Sequence, residues 1–266
     1  MTSADIHVNR HDEIAHFRRM LARDAPRFWF IQGDSGVGKS GLLDYLMDEV
    51  CAANGTPSVV FDFKDASPTF IHLAVQTGHQ VGVRPHIATE RCLHDFGVSG
   101  VTVDVRGVRA VVGRVDIGID ASSLGRLSRE QMAAWHYRFA EALLADLPDA
   151  PAVLFFDTFE KASSETREWL IQVLLPLLAA TRKRVAVVMA GQQTPPDERA
   201  WRRHLEHTRL TGLSTADWTD YAQRYAEQHG RRPPNAEFIQ SYHGFFQGKP
   251  RGMVDAVTHL CGSAAS

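Results

Sequence analysis

The 266-residue sequence predicts an α/β protein whose parallel sheet is covered on both faces, followed by a small helical unit. Three observations carry this reading. Strand-like and helical runs alternate as far as Leu213. The strand-like runs are almost continuously apolar, as strands buried on both faces must be. Beyond Leu213 only helical spacing remains.

The elements follow in order. "HDEIAHFRRMLARD" places Ile14, Phe17 and Leu21 on one helical face. "FWFI" reads as a buried strand leading into "GDSGVGKS" at 33–40. Leu42, Leu43, Leu46 and Val50 then form a helical stripe that stops at Asn54-Gly55, a pair suited to a helix C-terminus. "SVVFDF" (58–63) is a second strand, and a helix is expected from Pro68 through "TFIHLAVQTG". Residues 81–98 give no clear pattern. Val101, Val103 and Val105, then Val115, Ile117 and Ile119, alternate with polar residues around Gly107 and Gly113. A β-hairpin or small meander is expected there, as an insertion over 99–121.

"SREQMAAWHYRFAEALLADL" (128–147) has helical spacing and opens with Ser-x-x-Gln, a capping-box pattern. "PAVLFFD" (151–157) is an apolar strand ending in a carboxylate, and "ETREWLIQVLLPLLAAT" is a helix. "RVAVVMAG" (184–191) is another buried strand, and "TRLTGL" (208–213) a shorter one. "STADWTDYAQRYAEQHG", "NAEFIQSYHGFF" and "PRGMVDAVTHLCG" are three helices. The expected organisation is a core over 1–213 and a helical unit over 214–266.

Composition narrows the function classes. With 44% hydrophobic and 23% charged residues the balance is that of an ordinary soluble domain. A net charge of −2 gives no basic field, so nucleic acid is a disfavoured though open partner. Cys51, Cys92 and Cys261 make no disulfide framework, the N-terminus is too polar for a signal peptide, and no run reaches membrane-spanning length. A cytoplasmic, membrane-free protein is expected.

"GDSGVGKS" matches G-x-x-x-x-G-K-[ST], a phosphate-binding loop (P-loop). Gly33, Asp34, Ser35, Gly36, Val37 and Gly38 curl the backbone so that N–H groups face a phosphate, and Lys39 reaches the terminal phosphates. Ser40 supplies a hydroxyl to Mg²⁺, and the helix beginning near Gly41 aims its positive end at the charge. The chemistry then needs a magnesium-side carboxylate at the end of another buried strand, and Asp157 stands there. The alternative is a strand-end aspartate that caps the next segment.

A hydrolytic site also needs a group to orient water. Glu160 lies three residues on and is the candidate base, its alternative a glutamate opening a helix. Thr158 occupies the position where many ATPases of this layout carry that glutamate. Gln192, at the end of the 184–191 strand, either bonds the last phosphate or the attacking water, or is a loop amide in solvent. Arg199, Arg202 and Arg203 in "ERAWRRHLEH" either reach a neighbour's site in trans or line a solvated helix face. Cys92 and His94 stand two apart without a second pair at zinc spacing, and "RKR" at 182–184 suits the end of a helix.

Taken in order, these segments resemble the signal-transduction ATPases with numerous domains (STAND), a branch of the AAA+-like P-loop proteins. "HVNRHDEIAHFRRML" resembles the segment before the phosphate loop, with Asn9 where glycine is usual. "GDSGVGKS" and "VLFFDTFE" are the two nucleotide motifs. "RLTGLSTADWTDYA" resembles the start of the helical lid, and "GKPRGMVDAV" the turn whose proline packs near the nucleotide, with Arg251 where leucine is usual. The resemblance implies a five-stranded sheet in the order 5-1-4-3-2, adenine held near Val8, Asn9 and Arg10, and a lid closing through Pro250. It also implies an ATP/ADP switch with Mg²⁺ and slow hydrolysis, serving signalling or defence. The alternating 101–119 segment is either a partner-binding element or a cover over the sheet edge, and a protein partner or oligomer is expected through it or through the lid. A cycling AAA+-like ATPase acting on DNA or protein is the alternative.

Overall fold

A computed structural model describes residues 10–23, 27–64, 69–81, 87–95 and 128–262. Five parallel strands form one sheet: β1 (Arg27–Gln32), β2 (Ser58–Asp62), β3 (Ala152–Asp157), β4 (Val185–Gly191) and β5 (Leu205–Arg209). Their spatial order is β2-β3-β4-β1-β5. Read from the other edge, this is the 5-1-4-3-2 order that the resemblance implied. Val8, Asn9 and the expected 99–121 β insertion lie outside the described residues.

The helices are α1 (His11–Leu21), α2 (Lys39–Tyr45, continuing through a π segment, Leu46–Cys51), α3 (Phe70–Val81), α4 (Ile87–Asp95) and α5 (Arg129–Asp146). Then come α6 (164–180), α7 (Thr215–Gln228), α8 (Ala236–Phe246) and α9 (Pro250–Gly262). Within α6 a π segment, Leu170–Leu174, runs up to Pro176. Proline lacks the N–H that the regular ladder would use there, and the π segment takes up the mismatch.

Alternation along the strands separates two apolar layers. Phe28, Phe30, Leu154, Phe156, Val187 and Met189 face α3, α5 and α6, where Trp135, Phe139 and Trp169 are fully buried. Trp29, Ile31, Val153, Phe155, Val188 and Ala190 face Phe17 of α1 and the Leu42, Leu43 and Leu46 stripe of α2. β3 and β4 are buried along their whole length. Each such Phe or Leu contributes about 1.5–3 kcal/mol, so the rim carrying their last residues stands on a stiff support.

Three segments differ from the sequence reading. The last strand is Leu205–Arg209 rather than 208–213, because an exposed edge strand of mixed polarity leaves no apolar run to read. Leu210 donates its N–H to the Gln32 carbonyl at 2.7 Å, and the chain then leaves the sheet. Residues 81–98 contain α4, whose Ala88 and Thr89 N–H groups are capped by the Asp146 carboxylate at 3.1 and 2.9 Å. A cap supplied from 57–58 residues away is invisible to local pattern. Arg202–His204 is one 3₁₀ turn rather than a helix face.

The C-terminal unit has its own apolar cluster, with Leu213, Trp218, Tyr221, Ile239, Met253 and Val257 at its centre. Ser214 and Asp217 form a reciprocal capping box at the start of α7, and Asn235 caps α8. No helix among the described residues is long and apolar enough to cross a membrane.

Candidate functional site

The strand ends of β1, β3 and β4 converge on one rim, and the loop after β1 builds its floor. Gly36 and Gly38 hold φ of +83° and +94°, conformations that cost an L side chain strain. Between them Val37 is buried and anchors the loop in the apolar layer beside α2. Lys39 opens α2 and folds over the loop, donating from Nζ to the Gly33 and Asp34 carbonyls at 2.8 and 2.9 Å. Burial lowers its pKa, while Glu160, Asp157 and Asp34 pull it back up. One cation therefore faces these three acids of the rim.

Asp157 ends β3 and is 5% exposed. Its carboxylate accepts the Ser40 hydroxyl and, at Oδ1, the Thr158 N–H at 2.7 Å. Burial raises its pKa against those two hydrogen bonds, with Asp62 adding to the rise and Lys39 opposing it. Asp62 is the register partner of Asp157 across β2 and β3. Nearby Asp44 of α2 is pushed up to about 6 by burial of its inner side and by Asp157, Asp48 and Asp62. A hydroxyl touching a buried carboxylate, with Asp62 and Asp44 adding negative charge beside the single Lys39, fits a hard cation that takes oxygen ligands. Ser40 and Asp157 are the residues that would hold it.

Thr158 departs from the strand with φ +56°, an unusual conformation for a β-branched residue. This left-handed step sends the chain into the Phe159–Lys161 3₁₀ turn and back across the sheet. The Glu160 carboxylate thereby arrives at the end of β4, where Oε2 accepts the Gln192 N–H at 2.9 Å. Gln192 is engaged through its backbone, its carbonyl accepting Gln32 Nε2 at 3.1 Å, and its side chain is exposed.

Two residues flank the loop. Arg10, 9% exposed, donates from Nη2 to the Val37 carbonyl at 3.0 Å and the Thr211 carbonyl at 2.7 Å. Because C=O and N–H point oppositely across a trans peptide, drawing Val37 O toward Arg10 turns the Gly38 N–H the other way. Burial lowers the Arg10 pKa, countered by Glu13 and Asp217. Pro250 covers the loop from the other side, its Cγ 3.0 Å from where a Cβ on Gly38 would lie. The turn carrying Pro250 uses left-handed Gln247 and Gly248 and folds onto the linker, Leu213 N–H bonding Gly248 O at 3.1 Å. A cleft of about 570 Å³ opens between Gly36, Phe245, Phe246, Lys249 and Arg251.

Of the expected site residues, Gly33 to Gly41, Asp157, Glu160 and the Gln192 backbone meet at this rim, while Arg10 and Pro250 bracket the loop. Arg202 and Arg203 precede β5 and so sit at the opposite rim, about 16 Å away at some 3.3 Å per strand residue. Sequence reading missed Arg10 as a staple between Val37 and Thr211, since contacts joining distant segments leave no local pattern.

Comparison with known proteins agrees with the geometry. A family model described as an AAA ATPase domain matches residues 8–188. Among solved structures, the chain is similar to a signal transduction ATPase with numerous domains (STAND) protein with a tetratricopeptide repeat sensor from Pyrococcus horikoshii. The identity is 13% and the TM-score 0.50, over 92% of this chain and 29% of that one. A DNA replication initiation factor aligns over 94% of this chain and 59% of its own, at 11% identity and a TM-score of 0.45. The chain thus spans less than a third of the first structure's length. No curated protein matches its sequence.

Proposed function

Since the chain belongs to the AAA ATPase domain family of nucleotide-dependent ATPases, we propose that it is a STAND-type switch for ATP and ADP. The core, 1–213, binds the nucleotide, and the helical unit, 214–266, is its lid. Loop N–H groups and Lys39 would take the phosphates, and Ser40 with Asp157 would hold Mg²⁺, directly or through water. The ion would supply neutralisation of phosphate charge. Glu160 would orient water for slow hydrolysis, the Gln192 side chain would bond the last phosphate or that water, and Val8, Asn9 and Arg10 are the proposed adenine contacts.

One observation carries the reading: the lid rests on the phosphate loop itself. Pro250 covers Gly38, and Arg10 joins Val37 in the loop to Thr211 in the lid linker. A phosphate that moves the loop therefore changes what the lid rests on, and two nucleotides that contact the loop differently favour different lid positions. Partner assembly through the lid or the 101–119 segment, in cytoplasmic signalling or defence, would be the output.

The test is the nucleotide carried by freshly purified protein, released by denaturation and separated chromatographically. Near-stoichiometric ADP is expected, as for a switch resting closed. An empty site that ATP fills only weakly would overturn the switch. The cycling ATPase acting on DNA or protein, which the exposed Arg202 and Arg203 would serve in trans, would then lead.

A further inference from the structure

The Glu160 carboxylate does more than reach the rim: it is seated there. Oε2 takes the Gln192 N–H at 2.9 Å directly above Gly191. A Cβ on Gly191 would lie 2.6 Å from that oxygen, 2.6 Å from the Gln193 carbonyl and 3.5 Å from Phe159 Cβ. No side chain of any size fits between them. Gly191 also accepts the Gly33 N–H at 3.2 Å, so the residue beneath the acid is tied to the first residue of the phosphate loop. From the other side Arg167 holds the backbone of the same turn, donating to Glu160 O at 2.9 Å and Ala162 O at 3.2 Å. Its guanidinium lies 5.6 Å from the Phe159 ring centre.

Building on the proposed role of Glu160 as the water-side base, we propose that the Gly191–Gln192 turn is the cradle that positions it. The Gln192 N–H fixes one carboxylate oxygen, the bare Cα of Gly191 makes room for it, and Oε1 is left to accept the proton of the attacking water. Gly191 is then a positioning residue, acting on catalysis only through Glu160. The left-handed Thr158 serves the same end, since it displaces the acid along the chain and the cradle receives it there.

The experiment measures single-turnover ATP hydrolysis and ADP affinity for the parent protein, Gly191→Ala, Glu160→Gln and the double variant. Misplacing a catalytic group by about 1 Å costs roughly 10²-fold, and that is the loss of rate expected for Gly191→Ala. Its ADP affinity should stay close to the parent's. In the Glu160→Gln background Gly191→Ala should cost nothing further, because it has no carboxylate left to misplace. An equal loss with and without Glu160, a parent-like rate for Gly191→Ala, or ADP affinity collapsing with the rate would each overturn the cradle. Glu160→Gln hydrolysing at the parent rate would remove the underlying role of Glu160. A defective Glu160→Gln beside an unaffected Gly191→Ala removes the cradle alone.

Discussion

The rim around the phosphate loop and the C-terminal helical unit, the proposed lid, meet at Gly38 and Pro250, yet they are held in place differently. At the rim the functional groups are fixed by contacts from distant segments: Glu160 by Gln192, Gly33 by Gly191, Val37 by Arg10. The lid instead secures its own helices with local caps, Ser214 with Asp217 and Asn235 with Glu237, around a separate apolar cluster. A polar contact also braces the linker against this unit, His243 Nε2 with Leu213 O at 2.8 Å, while Trp218 Nε1 donates to Gly248 O at 3.3 Å within it. The proposed switch would need this division: a site fixed from several segments, and a unit with a core of its own that can move relative to it.

Variants at the rim should break this contrast most severely. Lys39→Ala removes the cation facing the phosphates, and charge-assisted bonds of this kind are worth about 1.5–3 kcal/mol each. Nucleotide affinity, measured calorimetrically, should fall by roughly 100-fold with the fold intact. Glu160→Gln should retain ADP but lower single-turnover hydrolysis by about 10²-fold or more, separating binding from chemistry.

Arg10 lies on the boundary and sharpens the comparison. Arg10→Ala strands two carbonyls, Val37 and Thr211, at a cost of about 2 kcal/mol in thermal unfolding. It should also free the lid, seen as faster proteolysis in the 211–214 linker that ADP no longer suppresses. If the linker stays as protected as in the parent, Arg10 is a core residue only.

The smallest effect lies at His136 of α5, half-buried against Phe70 and Glu165. Burial lowers the pKa of His136, partly offset by Glu165 and Glu168. With the folded value below the unfolded one, near 6.5, the unfolded chain binds the extra proton first as pH falls. This contribution to stability is complete above the unfolded pKa and is lost on acidification through the folded one. His136→Phe should flatten the acid limb of a stability–pH curve relative to the parent. A residual slope of the same sign is expected from His16, which burial also lowers.

Much of the site was legible because its chemistry is local. The glycines, Lys39 and Ser40 must be adjacent to wrap one phosphate, and Asp157 must follow an apolar strand to reach the rim. Thr158 is the instructive case. In sequence it breaks the expected pair of acids and weakens the argument for hydrolysis. In the structure its φ of +56° is the bend that returns Glu160 to the end of β4.

The sequence by itself determined the α/β class, the phosphate loop and the carboxylates, since periodicity, glycine spacing and strand-end charge act between near neighbours. Tertiary structure alone decided that Arg10 staples loop to linker, that Asp146 caps a helix 57–58 residues away, and that Gly191 seats Glu160. Those contacts join segments between 27 and 201 residues apart. They exist only once the sheet and its helices have brought these distant segments together.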